Sequence, residues 1–218
     1  MTTPSSLRLA LLAAGSLLLA APSSLAGETI NLFDGKSLAG WKATKTAPEG
    51  TYKFVDGILE VRGGSADHLF YVGPDGKASF TNFDFKGKVK TYPGANSGIY
   101  FHTTYQEEKW PKLGFECQVN ASYHKDIKRT GGLYAVQDVL NTPAAPDNVW
   151  FEYHIRVEGK HVQIWIDGKQ TVNFTQPENW VPPKGMDGRR IGSGTFALQA
   201  HDPTCKVDYK DFVVERLP

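Results

Sequence analysis

The sequence lacks any charge imbalance. Its 24 Lys and Arg against 23 Asp and Glu leave a formal net charge of +1, and the basic residues form no cluster. A polyanion would find no electrostatic footprint here, which argues against nucleic acid as a partner. Long apolar runs are also missing after the first 26 residues, so the mature chain offers no membrane span. Cysteine is scarce, with Cys117 and Cys205 the only two, far apart. In an oxidising compartment they could pair. Two buried free thiols would be just as ordinary, and sequence separation does not decide between them. Helical periods are few, whereas 22 Gly and 13 Pro punctuate the chain, so a helical bundle is a poor fit.

What the chain does have begins with a leader. Met1 to Leu7 is polar, Arg8 carries one positive charge, and Leu9 to Ala21 is apolar. Pro22-Ser23-Ser24 breaks that stretch, and Ser24-Leu25-Ala26 offers small residues where a signal peptidase reads. The pattern is that of a secretory signal peptide over residues 1–26, and a span would need about 20 apolar residues. An exported protein follows, periplasmic or secreted, with Gly27 to Pro218 as one mature domain.

Within that domain, short alternating runs are separated by turn residues. Ile58 to Val61, Phe83 to Lys90, Ser97 to His102, Phe115 to Val119 and Phe151 to Val157 all read with a period of two. Glu158-Gly159-Lys160 turns into Val162, Ile164 and Ile166, and Asp167-Gly168-Lys169 turns again toward Thr171 to Phe174. Thr195 to His201 and Val207 to Glu215 complete the set. Strands this short and numerous predict an all-β, antiparallel, two-sheet β-sandwich. Three long polar connections, 105–113, 139–148 and 176–194, have no core period, and loops of that length in a compact domain are usually functional or disordered. Trp110 and Trp180 sit in two of them and suit stacking on a sugar ring. Capping the sandwich edges would explain them as well.

Alternation also sorts the faces. Ile99, Phe101, Phe115, Cys117, Val119, Leu133, Phe196 and Leu198 point to the core. The opposite face then collects Asn96, Tyr100, His102, Glu116, Gln118, Tyr134, Gln199 and His201. A merely solvated face would show Lys, Thr and Ser. Rigid amides, rings and one carboxylate are what hydroxyl recognition asks for, so carbohydrate is the expected partner.

The same residues carry a resemblance. Asn31-Leu32-Phe33-Asp34-Gly35-Lys36-Ser37-Leu38-Ala39-Gly40-Trp41, Asn96-Ser97-Gly98-Ile99, Gly114-Phe115-Glu116-Cys117-Gln118 and Leu198-Gln199-Ala200-His201 follow one another in the order of the 3-keto-disaccharide hydrolase family. Val207 to Glu215 is similar as well, while Phe151 departs from a family Trp-Asn pair. The resemblance spans Glu28 to Arg216. It implies a concanavalin A-like jelly roll and cleavage of 3-keto-glycosides.

The chemistry can be reasoned independently. A ketone at C3 acidifies the C2 hydrogen, so a base can remove it and the enolate can expel the C1 oxygen, with water adding later. Such a site needs a base, an acid and an enolate stabiliser, not two carboxylates flanking the bond. Glu116, His102 and His201 are the candidates for those roles, with substrate held by Asn96, Tyr100, Gln118, Tyr134, Gln199, Trp110 and Trp180. The same trio of Glu116, His102 and His201 could instead hold a divalent metal ion against the ketone. A non-catalytic, lectin-like module on the same sandwich and a structural domain without ligand stay open beside the enzyme, though the polar face speaks against the last. Gly192-Ser193-Gly194-Thr195-Phe196-Ala197 imitates a dinucleotide loop, but a strand follows it. Asn120-Ala121-Ser122 and Asn173-Phe174-Thr175 match the glycosylation acceptor pattern, which bears only on a eukaryotic secretory route. His124-Lys125-Asp126 reads as a solvated loop. N-terminal sequencing of the exported protein should begin at Gly27; an intact Met1 terminus in the membrane fraction would identify an anchor instead.

Overall fold

The computed structural model describes residues 27–218, and the expected leader lies outside the described residues. Fifteen strands follow in chain order: β1 (Thr29–Asn31), β2 (Trp41–Ala43), β3 (Tyr52–Val55), β4 (Ile58–Arg62), β5 (Asp67–Tyr71), β6 (Phe83–Thr91), β7 (Ser97–Thr103), β8 (Phe115–Val119), β9 (Lys128–Leu133), β10 (Gln137–Leu140), β11 (Phe151–Glu158), β12 (His161–Ile166), β13 (Lys169–Thr175), β14 (Thr195–Ala200) and β15 (Lys206–Arg216). One sheet of eight strands runs β13-β12-β11-β6-β15-β4-β3, with β1 added alongside β15. The other, of seven, runs β10-β9-β8-β7-β14-β5-β2. Paired strands are antiparallel throughout, as the Gly and Asp-Gly turns require, and the two sheets face each other as the expected sandwich. Among the described residues no helix is long and apolar enough to cross a membrane.

The core is the set of inward positions of both sheets. Phe85 and Ile164 from the first sheet and Ile99, Phe101, Phe115 and Leu198 from the second are all fully buried. Phe85 stacks on Phe196 across the gap, ring centroids 5.2 Å apart. Cys117 and Cys205 are both buried and both free, so the pair remains unbridged. Two of the tyrosine hydroxyls that enter this core are satisfied by the opposite sheet: Tyr153 donates to the carbonyl of Gln118 at 3.0 Å and Tyr209 meets the Ser97 hydroxyl at 2.7 Å.

One irregularity changes the reading of a strand. Thr195 pairs with Thr103 and Ala197 with Tyr100, so β7 spends one residue more than β14 between those pairs. The extra residue makes a β-bulge. His102 takes a φ of 56° there, a left-handed conformation that His adopts more readily than most residues. The bulge cancels the alternation. Instead of joining Tyr100 on the outer face, His102 is buried against Phe101 and Phe83, centroids 5.1 and 5.7 Å away. Its Nε2–H donates to the Thr81 carbonyl at 2.8 Å, and its Nδ1 accepts from the Gly192 amide at 3.3 Å.

Two histidines are therefore buried neutral. Burial lowers His102 from its usual 6.5 to about 4. Burial likewise lowers His68, on β5, to about 3. The unfolded chain takes up these protons near pH 6.5, whereas the folded chain refuses them until far lower. Stability is thus full above that value and is lost as pH falls toward 4 and 3, by about 1.4 kcal/mol per pH unit for each histidine. Urea unfolding should show a clearly lower midpoint near pH 5 than near pH 7.5. Equal midpoints would mean that neither imidazole is held neutral by the fold.

Candidate active site

The outer face of the second sheet is the floor of a cavity of about 800 Å³. Tyr100 on β7 lies opposite Glu116 on β8, and Gly98 lies opposite Gln118. Gln199 comes from β14, opposite His68 on β5. The strand pairing therefore brings side chains distant in sequence onto one surface. Gly98 has a specific part in this. A Cβ there would fall 2.7 Å from Glu116 Oε1, so the missing side chain is what lets the carboxylate lie across the strand.

The carboxylate is the hub of the floor. Tyr100 donates its hydroxyl to Glu116 Oε2 at 2.8 Å, Arg189 donates Nη2 to the same oxygen at 3.0 Å, and Gln199 donates Nε2 to Oε1 at 3.0 Å. Gln199 Nε2 also reaches the Tyr100 hydroxyl at 3.1 Å. Glu116 is 5% exposed and Arg189 7%, which makes this a buried ion pair. Burial works against the charge of Arg189, yet Glu116 and Tyr100 outweigh it and raise its pKa. Burial first, and then the Glu116 charge, push the Tyr100 phenol well above its usual range.

Two loops roof the floor, and both are fixed by backbone contacts. The Gly114 amide donates to the Gly188 carbonyl at 2.9 Å. A Cβ on Gly188 would sit 1.8 Å from the Lys112 carbonyl oxygen, so only glycine lets the loops touch. Within the 176–194 loop, Trp180 donates Nε1 to the Arg189 carbonyl at 2.7 Å and packs on Phe174. Trp180 thus sets the position of Arg189 instead of offering a stacking face.

On the far side stands His201. Its Nδ1 lies 2.8 Å from Asp202 Oδ2, and its ring meets Trp110 at 5.2 Å and Tyr123 at 5.5 Å. Burial works to raise the Asp202 carboxyl, but hydrogen bonds from Thr204 and His201 outweigh it and hold it below its usual value. An ionised Asp202 fixes the tautomer in which Nδ1 carries the proton and Nε2 the lone pair.

Of the residues expected from sequence, Glu116, His201, Asn96, Tyr100, Gln118, Tyr134, Gln199 and Trp110 all line this one cavity. His102 and Trp180 do not. The trio of Glu116, His102 and His201 is not assembled, because the bulge turns His102 inward. Among the described residues no three His, Cys, Asp or Glu side chains are grouped as a metal would need. Sequence reasoning missed Arg189, whose only signal was an Arg-Arg pair in a long Pro- and Gly-rich loop. It also placed Asp126 in a solvated loop, whereas Asp126 lines the cavity and accepts the Tyr134 hydroxyl at 3.0 Å. Asp187 adds another carboxylate to the lining, so Glu116 is not alone.

Three polar atoms on cavity-lining residues are buried without a protein partner: Arg189 Nη1, Gln118 Oε1 and Gln199 Oε1. The amide orientations follow from their other contacts. Gln199 Nε2 must face the carboxylate, and Gln118 Nε2 faces the Asn96 Oδ1 at 3.3 Å and the Lys128 carbonyl at 3.4 Å. One cationic donor and two neutral acceptors on the lining residues are thus closed to solvent and unpartnered.

Comparison with known proteins fits this picture. Residues 28–215 match the family model of the 3-keto-alpha-glucoside-1,2-lyase-like domain. No curated protein matches the sequence. Among solved structures, a candidate glycosyl hydrolase from Parabacteroides distasonis superposes with a TM-score of 0.71 at 22% identity, covering 87% of this chain and 94% of that one. The carbohydrate-binding module CBM66 from Bacillus subtilis follows at TM-score 0.54 and 14% identity, covering 81% and 96%. A Bacillus subtilis protein of unknown function with a galectin-like fold gives 0.55 and 11%, covering 81% and 89%. At these identities the likeness is one of fold.

The buried pair has a thermodynamic signature. Arg189→Met alone should destabilise by about 3–5 kcal/mol, because it strands a buried carboxylate. Adding Glu116→Gln should recover much of that loss, since the charge goes too. Denaturant unfolding of both single variants and the double variant checks the cycle. Simple additivity of the two losses would show that the charges do not interact.

Proposed function

The chain belongs to the family of 3-keto-alpha-glucoside-1,2-lyase-like domains, and from that premise we propose that it cleaves the glycosidic bond of 3-keto-glycosides by elimination. The family makes it a carbohydrate-active, glycosyl hydrolase-like protein. The finer reading rests on one observation: Arg189, whose guanidinium keeps a buried nitrogen without a protein partner, lines the same cavity as His201, and His201 is in turn paired with Asp202.

In this reading His201 Nε2 takes the hydrogen from C2. The electron pair left behind moves onto the C3 oxygen, and Arg189 stabilises that enolate charge, which in a water-poor site is worth far more than in bulk. The enolate then re-forms the ketone, makes the C1–C2 double bond and breaks the C1–O bond. The departing oxygen takes up the proton that His201 gained from C2, and water adding across the double bond gives the free keto-sugar. Glu116, one of the three sequence candidates for base, acid or stabiliser, has a positioning part in this reading. Its oxygens already accept from Tyr100, Gln199 and Arg189, so it places the guanidinium and balances its charge. Gln118 and Gln199 offer their spare carbonyls to sugar hydroxyls.

A second reading has an observation of its own. Asp126 and Asp187 bring further carboxylates into the cavity, as direct acid–base hydrolysis would require. The two readings part on substrate. A 3-keto-disaccharide should be cleaved while its unoxidised parent is inert, because only the ketone makes the C2 hydrogen acidic enough. His201→Gln should lower kcat by about 10²–10⁴-fold, and Arg189→Lys by about 10²-fold. Equal cleavage of oxidised and parent sugars would establish direct hydrolysis. Tight binding of either sugar without turnover would make the protein a lectin.

A further inference from the structure

The wall formed by the 105–113 loop has an unusual property for a solvent-facing segment. Trp110 is 44% exposed and Leu113 47%, and both border the cavity. Their exposure is not fraying. The loop is wound around the side chain of Gln106, whose Nε2 donates to the carbonyls of Glu108, Lys109 and Trp110 at 2.6, 3.2 and 2.8 Å. Its Oε1 accepts from the Lys112 amide at 3.0 Å. Beneath, the Trp110 ring rests on His68, centroids 5.6 Å apart. A large apolar ring held rigid and left open is a preformed contact surface, because the ordering cost of binding is already met by the fold.

We propose that Trp110, Pro111 and Leu113 form a subsite for an apolar aglycone, an alkyl or aryl group attached to C1 of the keto-sugar. This rests on the elimination reading above. If His201 acts on C2, the substituent on C1 lies two bonds away, and the wall beside His201 is Trp110, at 5.2 Å. The amides of the site are all on the floor: Asn96, Gln118 and Gln199. The wall segment Trp110–Leu113 itself carries one polar side chain, Lys112, too few to meet the several hydroxyls of a second hexose. The floor reads the sugar, and the wall accepts what leaves it.

The test compares 3-keto-glucosides of methanol and of cyclohexylmethanol, whose leaving groups have nearly equal acidity, with a 3-keto-disaccharide. The cyclohexylmethyl compound should show kcat/KM about tenfold or more above the methyl compound, from the added apolar area buried, with the disaccharide no better than methyl. Leu113→Ser should bring the cyclohexylmethyl-to-methyl ratio toward one. Equal rates on the two alkyl glycosides, or preference for the disaccharide, would overturn the subsite and leave the elimination reading standing. If no oxidised glycoside turns over, the elimination reading falls. Quenching of tryptophan fluorescence by the two alkyl compounds then decides the subsite alone: tighter binding of cyclohexylmethyl supports it, and equal binding refutes it.

Discussion

The arrangement depends on one buried ion pair. Glu116 belongs to a strand in the middle of a sheet, and Arg189 belongs to a loop 73 residues away. Neither charge could be withdrawn from water alone, since the desolvation penalty is several kcal/mol per ion. Each therefore fixes the other. The loop carrying Arg189 is drawn down onto the sheet, the neighbouring Gly188 locks against the other roof loop, and a cavity is enclosed between them. Tyr100 and Gln199 complete the coordination of the carboxylate and are immobilised by it. A site for charge development thus comes preorganised, with its dipoles oriented before any ligand arrives.

The fold was legible because most strands have one face in the core. Wherever that held, as in Phe151–Glu158 or His161–Ile166, inward and outward residues alternated and the strand could be read directly. Asp67–Tyr71 was not legible. Every one of its residues is buried, and Leu69, Phe70 and Tyr71 put apolar side chains on both faces in succession, which leaves no alternation to detect. Lys128–Leu133 was obscured by two adjacent glycines. The edge strands of three or four residues are too short to show any period.

The site was legible to the extent that it sits on regular strands. Asn96, Tyr100, Glu116, Gln118 and Gln199 fell on one face by counting twos, and the structure brings them to one cavity. His102 escaped because a bulge adds one residue and inverts the phase, an event no composition announces. Arg189 and Asp126 escaped for the complementary reason. They are carried by loops, where side-chain direction depends on contacts made elsewhere in the chain. Trp180 shows the risk of arguing from residue type. An aromatic ring in a functional loop suggested a platform, and it turned out to be a prop whose indole N–H holds a backbone carbonyl.

The loop wound around Gln106 has a consequence for how such a protein can change over generations. Its shape is maintained by one amide gripping main-chain groups, which every amino acid possesses. Trp110 adds its packing on His68 and His201, whereas the exposed Leu113 side chain stands at the rim. Substitutions at the rim can therefore accumulate without unravelling the scaffold, while the floor, where each polar group is committed to another, tolerates almost none. The molecule separates a conservative half from an experimental one, and a lineage could explore new compounds by altering the rim while its chemistry stayed constant.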